Sequence, residues 1–277
     1  MKLKEIYLNN KLAISFEVFP VENQSSLMEE LSILKKYSPS FISLTCNAGG
    51  KDNMSIDLIS NIIKTGFDVM PHLTCISSKE KDIAILLDKF ERLKIENILA
   101  LRGDIPDNAD ITSCEFKHAN ELVDYITKNA EFSVGVAGYP EGHIESPGLD
   151  IDIKFLKNKV DCGADVIFTQ LFFDNDKFYK FVDTAHSGGI SQEIIPGIMP
   201  VISKKQIDKM TKLAKITVPK ILSNALEKYN ADDLVKFGID YSSKQCEKLI
   251  EFGVKGLHFF TLNKSYSTSK ILENIRR

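Results

Sequence analysis

The sequence predicts an α/β protein of the (β/α)8 TIM-barrel class, with extra helices between strands 7 and 8. Three observations predict it. Eight short β-rich runs alternate with segments of helical apolar spacing. Strands joined by crossover helices must lie parallel, and eight such units point to a closed barrel rather than an open sheet. The chain has 277 residues, and no Pro/Gly/Ser-rich linker divides it. A barrel uses about 250 residues as one domain, so residues 1–277 read as a single domain.

The opening MKLKEIYLNN turns into a polar-interrupted strand expected over Leu12–Phe19, not into a signal-peptide core. Ser26–Tyr37 follows as a helix, with Ser25 and Ser26 as cap candidates and Leu27, Leu31 and Leu34 on one face. Strand 2 is expected over Phe41–Thr45 and strand 3 over Asp68–Leu73. Helix Lys79–Leu93 carries Ile83, Leu86, Leu87 and Phe90 at i, i+3, i+4 and i+7. Strand 4 (Asn97–Leu101), helix Ala119–Asn129 and strand 5 (Ser133–Ala137) come next. Ile151–Cys162 has Ile153, Leu156 and Val160 on one stripe, acids at its start, lysines near its end and Gly163 as a stop. Strand 6 (Asp165–Leu171), helix Asp176–His186, strand 7 (Ile194–Ile198) and helix Lys204–Lys215 continue the series. Lys204 to Gly253 is too long for one crossover, so further helices are expected around Pro219–Tyr229 and Ala231–Phe237 before Ser242–Phe252. Strand 8 (Gly256–Thr261) and the amphipathic Tyr266–Ile275 close the chain.

Composition removes several function classes. The 35 basic and 38 acidic residues leave a net charge of −3, which gives no electrostatic footprint for nucleic acid or an anionic membrane. No apolar run approaches the ~20 residues of a membrane span. Cys46, Cys75, Cys114, Cys162 and Cys246 are odd in number and scattered without a Cys-x-x-Cys pair. That suits reduced thiols in a cytoplasmic protein rather than disulfides or a zinc site.

Barrel chemistry is supplied by the C-terminal ends of the strands. Those ends carry Glu17, then Thr45 and Cys46, His72, the Arg102-Gly103-Asp104 triplet, Tyr139 and His143, Gln170, and the run His258–Asn263. There is no G-x-G-x-x-G, no P-loop and no glycine-rich phosphate cup after strand 7. The five histidines lack metal-site spacing, and lysine is scarce at the strand ends. A carboxylate, an Arg/Asp pair and a Tyr/His loop remain, and a bound organic cofactor would supply the harder chemistry.

Seven segments carry a resemblance: Phe16-Glu17-x-Phe19-Pro20, His72–Cys75, LALRGD (Leu99–Asp104), YPEGH (Tyr139–His143), TQLFFD (Thr169–Asp174), PGIMP (Pro196–Pro200) and HFFTLN (His258–Asn263). In this order, across nearly the whole chain, they resemble the methylenetetrahydrofolate reductase family. The resemblance implies one flavin-binding catalytic barrel over 1–277, FAD or alternatively FMN as cofactor, and NADH or NADPH as co-substrate. It implies reduction of 5,10-methylenetetrahydrofolate to 5-methyltetrahydrofolate in two half-reactions with ping-pong kinetics. Glu17 would be the acid that protonates the folate, and Asp104 would lie beside the flavin and tune its potential. Thr45, Cys46, His72, Arg102, Gly103, Asp104, Ala119, Tyr139, His143, Asp152 and Lys159 match cofactor-binding positions. Gln170 matches a residue that meets folate and nicotinamide in turn, and Lys264 the residue at the folate's glutamate tail. Partners implied are the small substrates, with a homo-oligomer or an electron-transfer partner subunit beside them. The appended regulatory domain of longer eukaryotic relatives, and control by S-adenosylmethionine through it, are not expected.

Flanked by Phe16 and Phe19, Glu17 is expected to have its pKa raised by desolvation. The chain departs from the family pattern at Phe155 and Asn158, where many relatives place Asn and a basic residue. Lys264 stands where many have Arg, and the helix after Pro219 lacks an aromatic. The rival readings are a proline-dehydrogenase-like flavin barrel, a flavin subunit fed by a partner protein, and a colourless aldolase-type barrel.

Overall fold

The structure, a computed structural model, describes residues 1–45, 53–105, 114–214 and 216–276. Its strands are β1 (Ala13–Val18), β2 (Phe41–Leu44), β3 (Val69–Thr74), β4 (Asn97–Leu101), β5 (Ser133–Gly138), β6 (Val166–Leu171), β7 (Glu193–Ile198) and β8 (Gly256–Phe260). They pair in parallel in chain order and close into a barrel, with β8 returning to β1 from Ala13↔Gly256 to Glu17↔Phe260. The predicted fold class is the observed one.

Helices α1 (Leu3–Asn9), α2 (Gln24–Leu34), α3 (Asn53–Lys64), α4 (Glu80–Arg92), α5 (Ala119–Asn129), α6 (Leu149–Asp161) and α7 (Asn175–Ser187) precede β7. After β7 come α8 (Lys204–Leu213), α9 (Lys220–Lys228) and α10 (Ala231–Phe252), and α11 (Tyr266–Ile275) follows β8. Successive strand side chains point to opposite faces. On β1, Ile14, Phe16 and Val18 therefore join the large core under the helices. Ala13 faces the barrel axis and packs with Phe41, Met70, Phe168 and Ile195.

The structure corrects several expectations. The opening segment forms α1, whose Leu3, Ile6 and Tyr7 bury against that axial cluster. Helix α3 had no counterpart in the sequence reading, yet Leu58, Ile59 and Ile62 are fully buried on it. Asn23, not Ser25 or Ser26, caps α2 by accepting from the Ser26 amide at 3.3 Å. The helices expected over Ala231–Phe237 and Ser242–Phe252 are one, the 22-residue α10. Gly238 sits within it because a Cβ there would lie 1.9 Å from the Val201 carbonyl oxygen, so the glycine lets the helix meet the segment after β7. Gly163 ends α6 with φ +110°, as expected.

Among the described residues, Cys75, Cys114, Cys162 and Cys246 are free thiols, and no helix is long and apolar enough to cross a membrane.

Candidate functional site

The centre of the site follows from strand alternation. Ser15 and Glu17 share the face of β1 opposite Phe16, and the parallel registers set Ser15 beside His258 and Glu17 beside Ser43. Ser15 Oγ lies 2.8 Å from His258 Nδ1, leaving Nε2 of that ring 3.3 Å from Glu17 Oε2. On the other side, Ser43 Oγ lies 2.7 Å from His72 Nε2, which is 3.5 Å from the same carboxylate oxygen. One carboxylate is thus held between two imidazoles, each fixed by a serine. Both histidines are buried, His72 5% and His258 1% exposed, while Glu17 reaches the mouth.

These neighbours reverse the expectation for Glu17. Burial is the largest influence and would raise its pKa, but attraction to His72 and the hydrogen bond and charge of His258 together outweigh it. The carboxyl is held below the ordinary value. Phe16 cannot supply the expected apolar wall because it points into the helix layer, and Phe19 is 41% exposed at the rim. Burial likewise lowers the pKa of His72, with Glu17 opposing and His258 assisting.

Beside this cluster a cavity of about 450 Å³ opens between the ends of β4 and β5 and helices α5 and α6. It gathers Arg102, Ala119, Tyr139, His143, Asp152 and Lys159 of the expected cofactor residues. Burial pushes the Lys159 ammonium down to about 8, against the pull of Asp152, and its Nζ donates to the Ala137 carbonyl at 2.6 Å. Tyr139 is pushed up to about 12, mainly by burial and then by Asp152, and meets His143 edge-on at 4.7 Å. Burial lowers the pKa of His143. The Arg102 guanidinium forms a two-pronged pair with Glu145, at 2.5 and 2.8 Å, which raises its pKa further.

A smaller cavity of about 120 Å³ shares Tyr139 and His143 and adds Asp104 and Gln170. Gln170 Oε1 accepts from the Leu171 amide at 2.9 Å. Gly103 sits between Arg102 and Asp104 with φ +85°, a conformation glycine adopts freely. Thr45 hydrogen-bonds through its amide to the Val18 carbonyl at 3.0 Å, at the mouth end of β2. Lys264 stands outside both cavities, its side chain 66% exposed and its Nζ 3.3 Å from Glu30. Cys46 lies outside the described residues.

Sequence reasoning missed Ser15, Ser43 and His258 as members of the cluster, and Glu145 as the partner of Arg102. A signal for the first three existed. Each sits at an inward position of its strand, where a polar side chain must find a partner.

A (β/α)8 barrel whose polar side chains and cavities gather at the C-terminal strand ends has the build of a barrel enzyme. The family described as "Methylenetetrahydrofolate reductase" matches residues 2–276. The "5,10-methylenetetrahydrofolate reductase" of Buchnera aphidicola is 35% identical, over 95% of this chain and 92% of that protein. The Escherichia coli protein of the same name is 32% identical, over 93% and 88%. "Methylenetetrahydrofolate reductase (NADH) 1" of Arabidopsis thaliana is 37% identical, but the chain spans only 50% of its length. The chain belongs to the methylenetetrahydrofolate reductase family. Among solved structures, a Clostridium thermocellum protein described as binding two copies of 5-methyl-5,6,7,8-tetrahydrofolic acid matches with a TM-score of 0.66 over 99% of this chain and 97% of that one. At 14% identity that likeness shows the fold alone.

Proposed function

We propose that this barrel reduces 5,10-methylenetetrahydrofolate to 5-methyltetrahydrofolate with a bound flavin, FAD, and a reduced nicotinamide as donor. The observation that carries the reading is Glu17, held between His72 and His258 at the mouth of a chain that belongs to this family. The side cavity suits a flavin. Arg102 and Lys159 offer cationic donors to phosphate, while Tyr139 and His143 offer ring edges to a planar group. A flavin held by Arg102, Tyr139, His143 and Lys159 would supply hydride transfer between NADH or NADPH and the folate, so the two substrates would take turns and ping-pong kinetics are expected.

The chain's own groups manage the proton. Glu17 would deliver it to the folate amine nitrogen that releases the methylene bridge. Its carboxylate shares the pocket with two imidazoles, and substrate covering the mouth would desolvate it and favour the protonated form that the step needs. Ser15 and Ser43 keep each ring facing the carboxylate. Such positioned acid catalysis contributes on the order of 10²–10⁴-fold. Asp104, exposed on the smaller cavity, places a negative charge close to the ring-binding region. A negative charge there disfavours the anionic reduced flavin, so Asp104→Asn raises the flavin midpoint potential in a redox titration. An unchanged or lower potential removes that role.

The absorption spectrum of the purified protein, followed anaerobically, tests the whole reading. A flavin spectrum bleached by NADH or NADPH and, separately, by 5-methyltetrahydrofolate is expected. Bleaching by the folate alone moves the electron donor to another protein. A protein that shows no flavin spectrum after reconstitution overturns the reading.

A further inference from the structure

The barrel closes where β8 returns to β1, and that seam is held by more than its ladder. The last paired residues are Glu17 and Phe260. Beyond them Thr261 continues the pairing, its amide 3.2 Å and its hydroxyl 2.7 Å from the Glu17 carbonyl. The chain then leaves the strand through Leu262 and Asn263, which take left-handed φ values of +52° and +56°. Asparagine tolerates that region, but a leucine there is uncommon. Such a conformation persists where its surroundings impose it, and it points to something the turn must deliver.

What the turn delivers is the Asn263 side chain. Its Oδ1 accepts from the Phe19 amide at 3.0 Å, and its Nδ2 donates to the Phe19 carbonyl at 2.8 Å. The backbone amide of Asn263 donates to Thr261 Oγ1 at 3.2 Å, so turn and side chain form one unit. A primary amide presents a donor and an acceptor side by side, as a peptide group does. Asn263 thus replaces the next rung of the ladder, and Pro20 keeps Phe19 extended to receive it. On the opposite side of β1, the Thr45 amide holds the Val18 carbonyl at 3.0 Å. The carbonyls of Glu17, Val18 and Phe19 are all pinned.

The Glu17 carboxylate itself is held more loosely. Its contacts to the two imidazoles are 3.3 and 3.5 Å, longer than the 2.7, 2.8 and 3.0 Å bonds that fix its backbone segment. Where Glu17 Oε2 stands relative to substrate is therefore decided at the seam. We propose that Asn263 is a positioning residue for the folate half-reaction, clamping the Phe19 peptide so that the Glu17 carboxyl meets the substrate in register. This rests on the reading of Glu17 as the acid. Misplacing a reacting group by about 1 Å can cost on the order of 10²-fold in rate.

The test separates the two half-reactions by stopped flow on the flavin-loaded enzyme. Asn263→Gly is the informative variant, because glycine accepts φ +56° freely and only the clamp is lost. Reoxidation of dithionite-reduced flavin by 5,10-methylenetetrahydrofolate should slow by about 10–100-fold, while flavin reduction by NADH or NADPH stays close to wild type. Asn263→Asp keeps the acceptor for the Phe19 amide and loses the donor, so its folate rate should fall between the two. It decides the matter by the same criterion if the glycine variant does not fold. In a Glu17→Gln background, Asn263→Gly should bring no further loss, since the clamp acts through that carboxyl. A near wild-type folate rate, equal slowing of both half-reactions, or losses that multiply in the double variant overturns the assignment and leaves the functional reading intact. If the folate does not reoxidise wild-type flavin, or Glu17→Gln reacts at the wild-type rate, the functional reading fails and the clamp with it.

Discussion

The two ends of the barrel are made by the same strands and differ in what their inward positions carry. At the floor those positions are Ala13, Phe41, Met70 and Phe168, sealed by Leu3, Ile6 and Tyr7 of α1. One step of two residues along each strand, on the same face, turns Phe41 into Ser43, Met70 into His72 and Phe168 into Gln170. His258 marks the border. Its ring centroid is 5.3 Å from Phe168 and 6.5 Å from Phe41, while its Nε2 faces Glu17. The floor is thus an apolar plug and the mouth a hydrogen-bonded cluster resting on it.

Charge removal at the mouth should have the largest effect and should leave the floor untouched. Glu17→Gln is expected to lower folate reduction by about 10²–10⁴-fold while keeping bound flavin and a near-native melting temperature. Steady-state kinetics beside a thermal melt decide it. Near wild-type folate reduction would remove Glu17 from the proton path. The converse cut is Leu3→Ala, at a residue with no exposed surface. It should cost about 2–5 kcal/mol of stability in urea denaturation and leave turnover per folded molecule unchanged. A stability near wild type would mean that α1 is not a working part of the floor.

The contrast extends to pH. Glu17 and His72 both have folded pKa values below their ordinary 4.5 and 6.5. The folded state then binds fewer protons than the unfolded chain, so stability rises with pH. For His72 this stability is complete above pH 6.5 and is lost as pH falls toward its lowered value. For Glu17 the same loss begins below 4.5. At the floor, burial chiefly raises the pKa of Tyr7, so its contribution is present below pH 10 and lost as pH rises past it. His72→Asn should flatten the acid limb of a stability–pH curve and Tyr7→Phe the alkaline limb. A variant that flattens the opposite limb would contradict the division.

Much of the fold was legible because each strand run is apolar and bounded by turn residues, and each long helix repeats its apolar positions. Helix α1 was hidden because seven residues show only Leu3, Ile6 and Tyr7, too few turns to separate from the start of a strand. The continuity of α10 was hidden by Gly238, whose reason lies in the Val201 backbone rather than in the helix itself. At the site, residue chemistry singled out Glu17, Arg102 and His143. The partners of Glu17 depend on register between β1, β2 and β8, which no single segment encodes. For that reason the direction of its pKa was misread: the sequence neighbours Phe16 and Phe19 are not its neighbours in space.

The smallest effect is expected at the rim, where mouth gives way to solvent. Lys264 Nζ lies 3.3 Å from Glu30 with 66% of the side chain exposed, and Glu30 is further anchored by the Ser265 amide and hydroxyl. Exposed pairs of this kind contribute about 0–1 kcal/mol, so Lys264→Ala should leave the melting temperature nearly unchanged. On the reading that Lys264 meets the folate's glutamate tail, Glu30 would compete with that tail for the same ammonium. The ammonium is also a point donor that cannot clamp a carboxylate with two parallel bonds. Lys264→Ala should therefore raise KM for the folate by no more than about threefold, with kcat unchanged, since a contact made equally in ground and transition states moves only KM. A rise of tenfold or more would show that the tail displaces Glu30 and takes Lys264 fully. Repeating the measurement at several salt concentrations separates the two cases, because an exposed pair fades as the Debye length shrinks from about 10 Å toward 3 Å and a desolvated contact does not.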